Sequence, residues 1–450
     1  MEVERWHGPS SEEPRKGWPV SAIDADSATG AGLLSRRYRS LTVGALILIS
    51  LVAFEYVAVA TAMPTVVRAL DGLALYAVAF GGTIAAGVVS MVVSGGWSDV
   101  RGPAVPLRVG VAVFAAGLLQ GLGGGLISVA LYVVVGHTLP EELRARFFGL
   151  LAGAWLLPSI AGPLVAGLLV EQLSWRWVFL ATAVLAVPSL VLVNPSLRGL
   201  SWPVAPERPR SRRPLWAVGA AAGALLLRYG GQQTGWVPVV LVVAGLGALV
   251  VFAPRLLPVG TFQGRVGLPS VVALRGIAGA AASAAEVFIP QMLSRERDLS
   301  PTAAGLVLAT SAVGWMAGSW LQGRMSSQQR VPVVGAVLLV VGVAGVTATV
   351  VPVVPLVLCI AGLTVLSLGM GLMYPVLSAL TLRWSAPQEQ GVNSSALQLS
   401  ESLFTTTVLA VTGALFAAWL VWSPVTAYFA GFGVASVLTL LAVAVAVRVR

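Results

Sequence analysis

Four ionisable residues stand inside long apolar runs: Glu55, Arg275, Glu286 and Glu401. The stretch LVAFEYVAVATAMPTVV, residues 51–67, places Glu55 nine residues before Pro64. A charge at the centre of a bilayer costs about 2.5–3.5 kcal/mol on insertion scales, and such groups persist where they face a cavity or a partner. Desolvation favours the neutral form of a carboxyl. A glutamate balanced between its two forms takes up and releases a proton as water reaches it from one side or the other. The competing readings are structural ion pairs and side chains that snorkel to an interface. Depth argues against both for Glu55 and Glu286. Arg275 and Glu401, nearer the ends of their runs, fit either. Arg275 and Glu286 share a helix face but are separated by about 16 Å of rise, too far for a direct pair. Each therefore needs a partner elsewhere, and the helix that carries them is expected to face a cavity. Glu401, in QLSESLFTTT, shares a polar face with Gln398, Ser402 and Thr405.

The elements that position these residues follow from composition. The chain has 450 residues, of which 57% are hydrophobic and 10% charged, and its mean hydropathy is +0.88. Soluble domains carry about 25% charged residues. Apolar runs of about 20 residues, each long enough to cross about 30 Å of hydrocarbon, recur along it. An all-α polytopic membrane protein is the expected class. The formal charge of +10 does not point to nucleic acid, because the arginines are scattered between apolar runs rather than gathered on one face. One cysteine, Cys359, and two histidines, His7 and His137, argue against a disulfide, a metal cluster or a His-based metal site.

The runs fall at about 41–62, 74–94, 147–170, 177–193, 215–230, 236–253, 267–292, 302–322, 331–350, 353–377, 394–420 and 425–447. Residues 1–38 read as a disordered polar tail without a cleavable leader. Basic residues mark the cytoplasmic side of a membrane. Arg36, Arg37 and Arg39, Arg101 and Arg108, Arg144 and Arg146, the Arg-rich loop 195–214, Arg255 and Arg265, Arg324 and Arg330, Arg383, and Arg448 and Arg450 mark alternate loops. The opposite loops are nearly neutral, SRERD at 294–298 balancing itself. Both termini are therefore expected in the cytoplasm. The segment 104–138 is ambiguous. Its apolar part is too long for one crossing and short of the 40 residues that two require. The arginines on either side favour a shortened hairpin, broken near Gln120 and Gly121, which brings the expected crossings to fourteen. One long tilted helix is the alternative.

Several segments resemble the major facilitator superfamily, specifically its fourteen-span drug:proton antiporter branch. The resemblance covers most of residues 40–450. Glu55 and Pro64 match the acid and proline spacing of the first helix in that branch. GGWSDVRGPA keeps Gly95, Asp99 and Gly102 of the loop after the second helix, but Val100, Pro103 and Ala104 replace basic positions. A short Gly-rich turn with an acid docks against neighbouring helix ends and latches one state, or is an ordinary polar turn. GLLAGAWLLPSIAGPLVAG, 149–167, matches the branch's fifth helix at Gly149, Gly162, Pro163 and Gly167. Small residues let helix backbones approach and prolines bend them, which suits either a rocking interface or generic packing. QGLGGGL, 120–126, resembles the start of the fourth helix, but Gly117 stands where the family has an arginine.

The resemblance implies two six-helix halves, 39–194 and 259–450, with a basic loop and two inserted helices at 195–258. It also implies a monomer in the cell membrane that exchanges protons for small hydrophobic or cationic compounds by alternating access. No phosphate-binding loop is present, so no nucleotide is expected as fuel, and no cofactor, metal, nucleic acid or enzymatic reaction is expected. Proton-coupled uptake, or a non-transporting sensor on the same scaffold, is the alternative.

Overall fold

The computed structural model describes residues 32–70, 76–116, 120–198, 212–230, 236–325 and 329–449. Most of the expected tail, most of the 195–214 loop and Gly117 lie outside the described residues. Among the described residues there are fifteen α-helices and no strand. They are α1 Arg39–Leu70, α2 Tyr76–Arg101, α3 Ala104–Ala115, α4 Gln120–Thr138, α5 Glu141–Gln172, α6 Arg176–Leu197, α7 Arg213–Gly230, α8 Val237–Leu256, α9 Leu268–Glu286, α10 Ile289–Glu296, α11 Pro301–Gln322, α12 Val331–Ala348, α13 Val357–Arg383, α14 Gln390–Leu420 and α15 Pro424–Ala446. Among the described residues, ten spans are long and apolar enough to cross a membrane, or eleven if the bent α5 is one span.

Helices α1 to α6 pack largely on one another, as do α9 to α15, and α7 pairs with α8. Burial separates central helices from lipid-facing ones. The most apolar window of α9 is 83% buried, that of α8 only 17%. Helix α9 thus lies in the interior of the bundle and α8 at its surface.

The 104–138 segment is two helices, as the arginine pattern suggests. Gly110 lies against Leu126 and Ile127, and Gly123 against Phe114, so α3 and α4 run antiparallel. With 12 residues, α3 is only about 18 Å long. It ends at Ala115, and α4 begins at Gln120, so the glycines lie inside α4 rather than at the break. They serve contact instead: a Cβ on Gly123 would stand 2.6 Å from the Phe114 Cβ, and one on Gly125 2.7 Å from the Gly87 carbonyl.

The expected single run at 267–292 is divided into α9 and α10. Pro290 explains the break: its ring excludes the carbonyl of Glu286 four residues earlier, and it has no N–H to give. Glu286 is therefore the last residue of α9. In the neutral loop SRERD one arginine has a structural role. Arg297 donates to the carbonyls of Thr349 (2.6 Å), Val351 (2.9 Å), Pro352 (2.9 Å) and Val354 (2.9 Å), tying the end of α10 to the α12–α13 turn.

Candidate functional site

The end of α2 meets the start of α14. The Asp99 carboxylate accepts from the backbone N–H of Gly391 at 2.7 Å and of Val392 at 2.9 Å. These are among the first N–H groups of α14, which have no partner inside their own helix and carry its positive dipole end. A Cβ on Gly95 would lie 2.6 Å from the Gly391 carbonyl and 2.9 Å from the Ser395 Cβ, so glycine there lets the two backbones touch. Gly102 has φ +76°, a left-handed conformation that suits glycine where the chain leaves α2. The three motif residues thus act in different ways. Gly95 permits close approach, Asp99 makes the bonds and Gly102 turns the chain.

Further bonds join α1–α6 to α9–α15 at this same end. Arg383 pairs with Glu141 at 2.9 Å, and Arg146 Nε donates to the Gly323 carbonyl at 3.1 Å. Deeper in, the Tyr132 and Ser378 hydroxyls are 3.3 Å apart. This end is sealed.

Beyond the seal lies a cavity of about 1400 Å³ between the two groups of helices. Ile49, Val52, Glu55 and Tyr56 line it from one face of α1, and Gln398, Glu401, Ser402 and Thr405 from one face of α14. All four ionisable residues singled out in the sequence line this space, and they divide into two kinds. Arg275 Nε bonds Glu401 Oε2 at 2.8 Å. The guanidinium also lies 3.6 Å from the centroid of the Tyr374 ring, and the Tyr374 hydroxyl donates to Glu401 Oε1 at 3.3 Å. A Cβ at Gly279 would come within 2.6 Å of that hydroxyl, so the glycine makes room for the cluster. Arg275 thus finds the partner that its depth demands, and it is Glu401. Glu55, 6% exposed, and Glu286, half-buried at the α9 break, have no hydrogen-bond or ion-pair partner among the described residues. Both carboxyls face the cavity.

The α5 motif is divided differently. The helix bends by 41° between Ser159 and Ala161, in the segment that carries Pro158 and Pro163. Gly149 faces Ser319 and Pro375 across the two groups, at 3.6 Å and beyond. Gly162 has ordinary room beside Val57, and Gly167 has nothing within 4 Å. Close approach is therefore not what these glycines serve in this conformation. Sequence reasoning missed Tyr374, and also Trp315, whose ring lies 5.2 Å from it and which also lines the cavity. A tyrosine before Pro375 in an otherwise apolar run was the available signal.

An all-α polytopic membrane protein, with a cavity between two groups of helices sealed at one end, is the class defined by this geometry. A model of the Major Facilitator Superfamily matches residues 109–216. An uncharacterized MFS-type transporter of Mycobacterium tuberculosis is 28% identical over 432 residues, covering 88% of this chain and 63% of the relative. The chain thus spans less than two thirds of that relative's length. The multidrug transporter protein MdtP of Bacillus subtilis is 21% identical over 417 residues, 85% of this chain and 76% of MdtP. Among solved structures, the human organic anion transporter MFSD10 has a TM-score of 0.63 at 15% identity, covering 91% of this chain and 99% of that one. A bacterial homologue of the iron transporter ferroportin, in its outward-facing state, has a TM-score of 0.62 at 15% identity, covering 92% and 98%. In sequence and in fold the chain is thus similar to transporters of the major facilitator superfamily.

Proposed function

We propose that the protein is a secondary active transporter that exports small hydrophobic or cationic compounds in exchange for protons. In this reading α1–α6 and α9–α15 are two halves that rock about the cavity, and α7–α8 is the inserted pair. The chain crosses the cell membrane fourteen times, acts as a monomer, and has both termini and the sealed end in the cytoplasm. The conformation described is then the outward-facing one.

One observation carries the reading: two carboxyls without a partner among the described residues, Glu55 and Glu286, line a cavity whose opposite end is latched shut by Asp99. Depth makes a carboxyl without a partner unfavourable, and periodic hydration is what lets such a group bind and release a proton. One proton crossing 100 mV supplies about 2.3 kcal/mol, or roughly a 50-fold gradient of an exchanged neutral compound at one to one. Arg275 and Glu401 neutralise each other, so Glu55 and Glu286, when ionised, are the negative groups that a cation would meet. An intact cavity and latch favour transport over a non-transporting relative, although α3 is short.

The test is proton flux in proteoliposomes against a panel of lipophilic cations. Wild type should acidify or alkalinise the lumen as the compound moves, and a protonophore should abolish concentrative export. Glu55→Gln should insert normally and lose coupled export. Wild-type rates in that variant would refute the role given to Glu55.

A further inference from the structure

The inserted pair α7–α8 is more than a spacer. Helix α7 packs against both α2 and α14, one from each half, so it bridges the seam between them. Leu227, Arg228 and Gly230 at the end of α7, with Pro238 and Val242 of α8, line the same cavity as Glu55 and Glu286. Gly223 and Gly245 hold the hairpin tight; a Cβ on Gly245 would meet the Gly223 carbonyl at 2.8 Å. The hairpin is thus a third wall. Its one charged contribution is Arg228, which pairs with no carboxylate among the described residues. Arg275, by contrast, is neutralised by Glu401 at 2.8 Å. Among the described residues Arg228 is therefore a positive charge with no paired carboxylate, in a cavity whose other walls offer Glu55 and Glu286 to a cation.

We propose that Arg228 sets the charge preference of the cavity when it faces outward, weakening its hold on lipophilic cations so that they leave. The inference rests on the transport reading above and deepens it. Glu55 and Glu286 draw a cation in, and Arg228, on the inserted hairpin, lowers affinity on the releasing side. A guanidinium acts on an ion elsewhere in a wet cavity through a screened Coulomb interaction, worth a few-fold in affinity and sensitive to salt.

The experiment is binding of tetraphenylphosphonium to the full chain in nanodiscs, at low and high salt. Against wild type, Arg228→Gln should tighten the Kd about three- to fivefold, Arg228→Glu by about tenfold or more, and Arg228→Lys should leave it unchanged. The differences should shrink at high salt, where the Debye length is short. Tetraphenylborate, the anion of matched shape, should move the opposite way. If wild type binds tetraphenylphosphonium and all three variants bind it equally, Arg228 only anchors α7 to the lipid headgroups and the inference is overturned, while the transport reading stands. If wild type binds no lipophilic cation, the transport reading fails and takes this inference with it.

Discussion

Replacing Asp99 by alanine should unlatch the sealed end by about two orders of magnitude. Its carboxylate accepts two N–H bonds at 2.7 and 2.9 Å from the first turn of α14. Bonds to a charged group are worth about 1.5–3 kcal/mol each, and a negative charge at a helix N-terminus adds roughly 0.3–1 kcal/mol. Opening returns all three groups to water and recovers part of this. A net loss of about 3 kcal/mol corresponds to roughly a 100-fold rise in the population open at this end, at 1.4 kcal/mol per decade. Thiol labelling reads that population directly when opening is faster than modification. Ser394 suits the purpose: it is fully buried, with relative exposure of 0%, and lies one turn beyond the latched N–H groups. Ser394→Cys in a Cys359→Ser background should react slowly with a polar maleimide applied from the sealed end. Adding Asp99→Ala should raise the rate about 100-fold. Asp99→Asn keeps the shape and one acceptor oxygen but loses the charge, so about tenfold is expected. A rate in Asp99→Ala equal to or below the parent's would refute the latch.

The seal depends on backbone contact as much as on charge. Gly95→Ala puts a Cβ 2.6 Å from a carbonyl and should also speed Ser394→Cys labelling, whereas Gly167→Ala, with nothing within 4 Å, should leave it unchanged. The Arg275–Glu401 pair should respond asymmetrically. The Arg275 side chain is 10% exposed and that of Glu401 34%, so Glu401→Gln strands the more deeply buried charge and should cost about 3 kcal/mol of stability, against about 1–2 for Arg275→Met. The double variant should recover most of that loss; thermal unfolding in detergent ranks the three. Tyr374→Phe removes the hydroxyl that donates to Glu401 at 3.3 Å but keeps the ring under the guanidinium, so a loss of about 1 kcal/mol is expected in the same assay.

Much of the architecture was legible because each apolar run is long and its ends are marked by arginine. The α3–α4 hairpin shows how far that reaches. Arginine placement gave two helices where length alone gave neither one nor two, and α4 begins at Gln120, next to the expected break. Glycines in QGLGGGL read as a helix breaker in sequence, while in a packed bundle they are where α4 touches α2 and α3. Pro290 carried the opposite signal, a helix interrupter inside an apolar run, and its effect decides where Glu286 sits. The four charged residues were found by depth alone. Their pairing was not, because Arg275 and Glu401 are 126 positions apart and no local spacing joins them. Arg228 escaped notice for a related reason. An arginine at the end of a helix reads as an interfacial anchor, and only the packing of α7 on both α2 and α14 turns it toward the cavity.

The sealed end also bears on how firmly this conformation is held. Ser98, Thr138, Gln322, Gln390 and Ser394 each bury a side-chain oxygen that has no hydrogen-bond partner among the described residues, and Ser98, Gln390 and Ser394 flank the Asp99 latch on α2 and α14. An apolar seam would close more tightly and stay closed, since unpaired polar atoms favour the state in which water reaches them. Polar groups at this position tip the balance toward opening, and the two bonds from Asp99 tip it back. A latch of about 3 kcal/mol is effective only against a seam that is itself close to balanced. The same residues that make the seal costly therefore make it reversible. Substituting Ser98 and Ser394 together by alanine should hold the end shut even in the Asp99→Ala background. A cysteine replacing Ser395, which is 3% exposed and stands across from Gly95, would report this as a labelling rate restored to that of the latched parent.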